Sequence, residues 1–272
     1  MTLKHQKYLV FALTTLILVG WVALDVYRST FGLRVNETTF KSGQDLEAPV
    51  RIFFVTDLHI TNSQSDFDRL NHIIQKASSF GPDIILLGGD FTGESRTGTQ
   101  LIRDELLEAL SQFTRVSPTY AVLGNHEWWT SVHWSSWLES VGINVIENLT
   151  KSIDVRGSRL CLRGLGDAYT DHYQSVEIPT DCGSFNLTLT HDPAAIEQEE
   201  VPGLYLAGHT HCGQIRLPLI PPRWAPTSAS PEYVCGVGQS DNKVWLTTSG
   251  VGTSVIPMRF GAPASIELIA IE

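Results

Sequence analysis

The chain is punctuated by short polar signatures, each of which directly follows a run of β-branched or aliphatic residues. Val50–Val55 runs into Thr56-Asp57-Leu58-His59, Asp83–Leu87 into Gly88-Gly89-Asp90, and Thr119–Leu123 into Gly124-Asn125-His126-Glu127. Further on, Phe185–Thr190 leads to His191-Asp192, and Leu204–Ala207 to Gly208-His209-Thr210-His211. Short apolar runs closed by turn residues read as buried strands. Strands ending this way deliver Asp, His and Asn side chains to one rim of a sheet. Those side-chain types are ligands of hard to borderline divalent metals.

The intervening segments set the fold class. Apolar residues at 67, 70, 73, 74 and 77 mark one helical face over Asp66–Phe80, closed by Gly81-Pro82. Leu101–Phe113 repeats the pattern at 101, 102, 106, 110 and 113. Strand–helix alternation with short connections implies right-handed βαβ units and a largely parallel sheet. The second half carries short strands near Lys151–Val155, Arg159–Arg163, Val244–Thr248 and Ile266–Ile271, with helices expected only at His133–Val141 and Ala194–Glu200. The expected architecture is α/β: a four-layer αββα sandwich with ligands on loops at one sheet edge.

Asp57 and His59 lie two apart in an extended segment, so both point to one side of the chain. Asp90, with two carboxylate oxygens, can bridge two cations. One metal would take Asp57, His59, Asp90 and His211, and the other Asp90, Asn125, His191 and His209. Such a pair clamps the attacking and leaving oxygens of an in-line displacement and activates a bridging water as hydroxide. His126, beside ligand Asn125, is placed to face substrate and to stabilise charge or protonate the leaving oxygen. Glu127, Asp192 and Thr210 are the neighbours expected to orient ligands.

Length and charge bound the alternatives. The 272 residues, 42% hydrophobic, suffice for one sizeable core. Acidic residues outnumber basic ones 29 to 19 with no Lys/Arg block, which argues against a nucleic-acid partner. Tyr8–Leu24 is free of charge over 17 residues, enough for a short membrane span, with Trp21 and Tyr27 at belt positions. The expected organisation is an anchor over 1–27, a linker over 28–49 ending at Pro49, and a catalytic domain over 50–272. A cleaved signal peptide or a buried helix is the alternative for the first segment. Lys4, Lys7 and the amino terminus favour a cytoplasmic start and an external domain, although Arg28 and Arg34 nearly balance them. The four cysteines allow three pairings; Cys161–Cys182 with Cys212–Cys235 is one such set, and buried free thiols are the alternative.

The signatures D-x-H, GD-x-x-G, GNH[DE], H and GHxH, all present over Val50–Ile271, make the chain resemble the calcineurin-like metallophosphoesterase superfamily. The resemblance implies the αββα sandwich and a dinuclear centre of two divalent ions, Mn first and Fe, Zn or Mg as alternatives. It also implies the ligands above and a catalytic His126. The N-terminal apolar run, the segment Gly208–Ile215 followed by Leu217-Pro218, and the tail Gly250–Ser254 with Arg259-Phe260-Gly261 are similar to the bacterial membrane-anchored branch. Cys212 departs from the glycine common there. Some members of that branch hydrolyse UDP-2,3-diacylglucosamine in lipid A biosynthesis. The expected substrate is therefore that nucleotide lipid or another phosphorylated lipid, with soluble nucleotides or cell-envelope phosphates as the alternative. A non-catalytic binding module would be expected to lack ligands, and none is missing. Trp128 and Trp129, in a cluster with Trp134 and Trp137, could wall a lipid tail or fill the core. Arg216, Arg223 and Arg259 are candidate phosphate grips. The expected location is the bacterial inner membrane with the catalytic domain outside. That placement conflicts with the nucleotide lipid, which is made and consumed on the cytoplasmic face.

Overall fold

The computed structural model of the chain describes residues 3–44, 46–217 and 225–272. It opens with a long helix, α1 (Leu3–Phe31), followed by β1 (Arg34–Phe40). A βαβ series follows: β2 (Val50–Val55), α2 (Gln64–Phe80), β3 (Ile84–Leu87), α3 (Arg96–Thr114) and β4 (Thr119–Ala121). Two short helices, α4 (Asn125–Thr130) and α5 (Trp134–Ser140), lead to β5 (Asn144–Val145). The second half comprises β6 (Leu149–Val155), β7 (Ser158–Gly164), β8 (Phe185–Leu189), α6 (Ala194–Gln198) and β9 (Gly203–Ala207). It closes with β10 (Gly236–Gln239), β11 (Lys243–Thr247) and β12 (Ser265–Ile271).

Two six-stranded sheets result, ordered β1-β12-β2-β3-β4-β5 and β10-β11-β9-β8-β7-β6. Their facing sides meet in a core of Ile52, Phe54, Ile84 and Leu86 against Leu162, Leu187, Leu204 and Leu206. The alternate residues Phe53, Val55, Ile85 and Leu87 point to the other face, where Leu70 and Ile73 of α2 and Leu106 and Leu110 of α3 cover them. Continuous aliphatic runs are what strands buried on both faces require.

The fourth layer is reduced. The outer face of the second sheet is covered by five-residue α6 and a 3₁₀ turn at Pro231–Tyr233, over a small cluster of Ile196, Tyr205, Ala207 and Trp245. Polar burial completes that face: Arg163 Nη2 meets Glu199 Oε2 at 2.6 Å, and Lys243 Nζ donates to the carbonyls of Ile196 and Glu199.

The stretch expected as a linker is partly structural. Arg34–Phe40 pairs in parallel with β12 as an edge strand. Its exposed, polar alternation lacks the apolar run that marks the inner strands, because a half-solvated edge does not need one. α3 starts five residues before its apolar face does, since Ser95 caps it by accepting from the Gly98 N–H.

Strand direction decides where the ends go. β12 is antiparallel to β2, with Glu267 opposite Phe54, and β1 is parallel to β12, with Arg34 opposite Ser265. The start of β1 therefore lies at the edge where β2 and β3 finish. α1 leaves the domain from that edge. Nearly all of its length is exposed, and it is long and apolar enough to cross a membrane.

Candidate metal centre

The carboxyl ends of β2, β3, β4, β8 and β9 converge, and each hands over one of the polar signatures. Loop-to-loop bonds knit them: Asp57 N–H donates to Gly89 O at 3.0 Å, and Gly208 N–H to His191 O at 3.0 Å. Asp57, His59, Asp90, His209 and His211 all have positive φ, between 45° and 64°. Non-glycine residues held there signal a loop shaped for its side chains at some cost in backbone energy. Gly124 and Gly208 allow the approach; a Cβ at either would collide with the carboxylate of Asp90 or Asp57 respectively.

The fully buried donors form two groups, Asp57–His59–His211 and Asp90–His191–His209, and half-buried His126 closes a third with His59 and Asp90. His59 Nε2 is 3.9 Å from Asp57 Oδ1 and 3.1 Å from His211 Nε2. In the other group His209 Nδ1 is 3.2 Å from His191 Nε2, which is 3.2 Å from Asn125 Oδ1. Asp90 Oδ2 lies between the groups, 3.5 Å from His59 Nε2 and 3.4 Å from His191 Nε2. Its partner Oδ1 accepts the backbone N–H of His126 at 2.9 Å, leaving Oδ2 to face the histidines.

Burial governs the charges. Desolvation pushes the pKa of His59 down to about 3 and that of His211 well below the ordinary value, so both present neutral rings. For Asp90 burial alone would raise the pKa, but His191, by charge and hydrogen bond, and His59 outweigh it and hold the carboxyl well below 3.8. Ring directions are set by groups outside the donor set. His191 Nδ1 is 2.7 Å from Gly88 O, His209 Nε2 contacts Pro226 O, and Arg259 Nη2 lies 2.9 Å from His211 Nδ1. For His191 burial alone would lower the pKa, but the Asp90 carboxylate beside it outweighs that and holds it well above 6.5. The neutral rings of His59 and His211 and an ionised carboxylate turned inward are donor chemistry that divalent cations take.

A family model described as calcineurin-like phosphoesterase matches residues 50–213, more than half of the chain. The chain belongs to the calcineurin-like phosphoesterase family. Phosphodiesterase YaeI of Escherichia coli (strain K12) is 32% identical over 247 residues, spanning 86% of this chain and 83% of that protein. YpbG of Bacillus subtilis (strain 168) is 26% identical over 254 residues, 90% of each. A transmembrane protein with metallophosphoesterase domain from Danio rerio is 27% identical over 292 residues, 96% of this chain and 63% of that protein. This phosphoesterase is accordingly a metal-dependent phosphoester hydrolase, and the ligand groups above are its candidate cation sites.

His126 is half-buried beside the donors, its ring 4.6 Å from that of His59 and 5.3 Å from that of Trp129. A cavity of about 600 Å³ opens over Asp90, Asn125 and His126 and is walled by Trp129, Tyr169 and Ile256.

Several expected substrate contacts fall elsewhere. Arg259 is fully buried and spends its guanidinium on the carbonyls of Ser249, Gly252 and Ala262, so it holds the His211 loop and cannot grip phosphate. Arg216 lines a separate small cavity behind the Cys212–Cys235 bridge. Trp128 stacks on His172 at 3.6 Å, away from the cavity, whereas Trp129 lies in its wall. Trp134 is fully buried and Trp137 packs against the same helical core. Arg223 lies outside the described residues.

Of the expected orienting neighbours, Glu127 accepts the backbone N–H groups of Asp90, Phe91 and Gly124, which positions the shared carboxylate. Thr210 instead bonds Val234 O, and Asp192 accepts from Thr227 and Ala194. Gln214 emerges as an organiser: its Nε2 donates to the carbonyls of Ser254, Ile256 and Met258, and its Oε1 accepts from Ser254 N–H. Its place after Gly213 in the GHxH sequel was the one signal for it. Tyr169 carried none, being the tip of an irregular loop.

Proposed function

We propose that this phosphoesterase holds two adjacent divalent cations and hydrolyses a phosphodiester carrying an apolar substituent, at the outer face of a membrane in which α1 is the anchor. The observation that carries the dinuclear reading is the position of Asp90 Oδ2, about equidistant from His59 and His191. Asp57, His59 and His211 would hold one ion, Asn125, His191 and His209 the other, and Asp90 both. Bound there, the pair supplies Lewis acidity that activates water and neutralises phosphoryl oxygens. Manganese is the first choice, with Fe, Zn and Mg admitted by the same mixed donors.

The chain's own groups do the rest. The N–H of His126 keeps Asp90 turned inward, and its half-exposed ring faces the cavity, where it protonates the departing oxygen. Trp129, Tyr169 and Ile256 give the cavity an apolar wall next to a polar floor, which suits a phosphate joined to a hydrophobic group. The naming of the E. coli relative as a phosphodiesterase supports the diester reading.

Both cysteine pairs, Cys161–Cys182 and Cys212–Cys235, are bonded. Structural disulfides persist in oxidising compartments, so they support an external domain. That placement favours an envelope phosphodiester over UDP-2,3-diacylglucosamine, which is handled on the cytoplasmic face.

The test is metal analysis of purified full-length protein together with hydrolysis of an aryl phosphodiester in Mn²⁺, before and after chelation. Two ions per chain and chelator-sensitive turnover are expected. Folded, metal-replete protein with no hydrolysis of mono- or diesters would point to a binding module instead. A panel comparing lipid-linked with water-soluble diesters then separates the substrate readings.

A further inference from the structure

We propose that the loop Ser254–Met258 is a lip that docks into the bilayer surface, and that the groove beside it passes the polar head of a membrane lipid to the metal centre. The inference rests on the reading of α1 as a membrane anchor and adds which face of the domain meets the lipid.

The fold brings α1 out at the edge that carries the ligands, because β1 and β12 run opposite to β2 and β3. The exit is tied down. Thr30 Oγ1 accepts from Arg259 N–H at 2.8 Å, Ala264 N–H donates to Ser29 O, and Gly261 N–H donates to Asp25 Oδ2 at 2.8 Å. Trp21 packs edge-on against Phe260 at 5.8 Å. Trp21 belongs to the charge-free run that ends at Leu24, so Phe260 reaches the depth at which aromatic belts sit. A bilayer spanned by α1 therefore lies directly beneath the loop that precedes Arg259.

That loop presents apolar side chains outward. Val255 is 86% exposed, and Ile256 and Met258 are partly exposed, with Tyr27 and Phe31 of α1 exposed nearby. Val255 also has φ of 64°, a conformation in which a β-branched residue is a genuine outlier. The four bonds from Gln214 hold the loop in this shape. Strain retained to display an apolar tip, with no described side chain covering it, is what a surface built for an apolar phase would show. The bilayer is the occupant because the patch is continuous with the anchor helix.

A second cavity, of about 570 Å³, connects this face to the chemistry. It runs from Thr30 and Phe31 at the end of α1, past Arg69, to His59 and His126. Arg69 lines the groove, its Nη2 paired with Asp66 at 2.9 Å and its guanidinium partly exposed, a cation placed to meet an anionic head group. A lipid entering here would leave its tails in the membrane and bring its phosphate to the ligands.

The experiment uses full-length protein reconstituted into vesicles of phosphatidylethanolamine and phosphatidylglycerol. Flotation first reports whether the chain is membrane-bound. Val255→Cys, or Met258→Cys if the first variant misfolds, is then labelled with an environment-sensitive fluorophore. Both native cysteine pairs are bonded, so only the new thiol reacts. Asp241→Cys, exposed at the opposite edge of the sandwich, is the control. Blue-shifted emission at the lip, quenched by lipids carrying a nitroxide near the head group and absent at Asp241→Cys, is expected. Protein that floats while the lip label stays water-accessible overturns the docking face and leaves anchoring intact. Protein that does not float overturns the anchor and the lip together. A label shielded from water but not quenched by lipid also refutes bilayer contact.

Discussion

Replacing Glu147 by glutamine should make the fold markedly less sensitive to rising pH. Glu147 is partly buried; its Oε1 accepts the N–H of Leu123 at 2.7 Å and its Oε2 is shielded from water without a partner. Burial therefore favours the neutral acid and pushes the pKa from 4.5 up to about 8. Between those values the folded chain keeps a proton that the unfolded chain has released. Stability contributed by this group is thus intact below about pH 4.5, falls as pH rises, and is fully lost above about pH 8. At about 1.4 kcal/mol per pH unit the ceiling is about 5 kcal/mol. Water penetration and relaxation lower what is measured, so the expected difference is about 2 kcal/mol or more. Glu147→Gln retains an acceptor for Leu123 without a titrating group. Urea unfolding of both proteins near pH 5 and pH 8.5, in chelator, isolates the effect as a difference of differences. The variant should match wild type at the lower pH and exceed it at the higher. Parallel pH profiles would refute the account, because Glu147 would then ionise alike in both states.

Asp90→Ala should lower the content of both cations, whereas His126→Ala should keep metal and lose roughly 10²–10⁴ in turnover. Metal analysis separates the two, and equal metal loss would make His126 a ligand. Opening Cys212–Cys235 by a double serine substitution frees the loop after His211 and should cost about 3 kcal/mol of stability together with metal affinity. The same change at Cys161 and Cys182 should cost stability alone, as thermal unfolding and metal titration would report. Glu199→Ala strands Arg163 in the interior and should destabilise by about 3–5 kcal/mol in urea, with metal content unchanged.

Sequence alone determined the elements whose physics is local. Val50–Val55 and Ile84–Leu87 read as inner strands because apolar runs of that length are stable only when covered on both faces. The periodicity of α2 named the residues that are covered, and that of α3 did so at 102, 106, 110 and 113 but not at Leu101, which points to solvent. Features decided by neighbours were not readable in this way. Arg34–Phe40 became a strand because β12 offered an open edge to a polar segment. The four-layer expectation thinned to a short helix on one side, where Arg163 pairs with Glu199 and Lys243 donates to the carbonyls of Ile196 and Glu199. Arg259 was expected as a phosphate grip and proved to be an internal brace, since a guanidinium surrounded by carbonyls costs less buried than it would elsewhere. Which oxygen of Asp90 lies between the histidines, and that the exit of α1 shares an edge with them, follow from strand order and direction. Those are properties of the assembled sheets, and no stretch of residues read singly carries them.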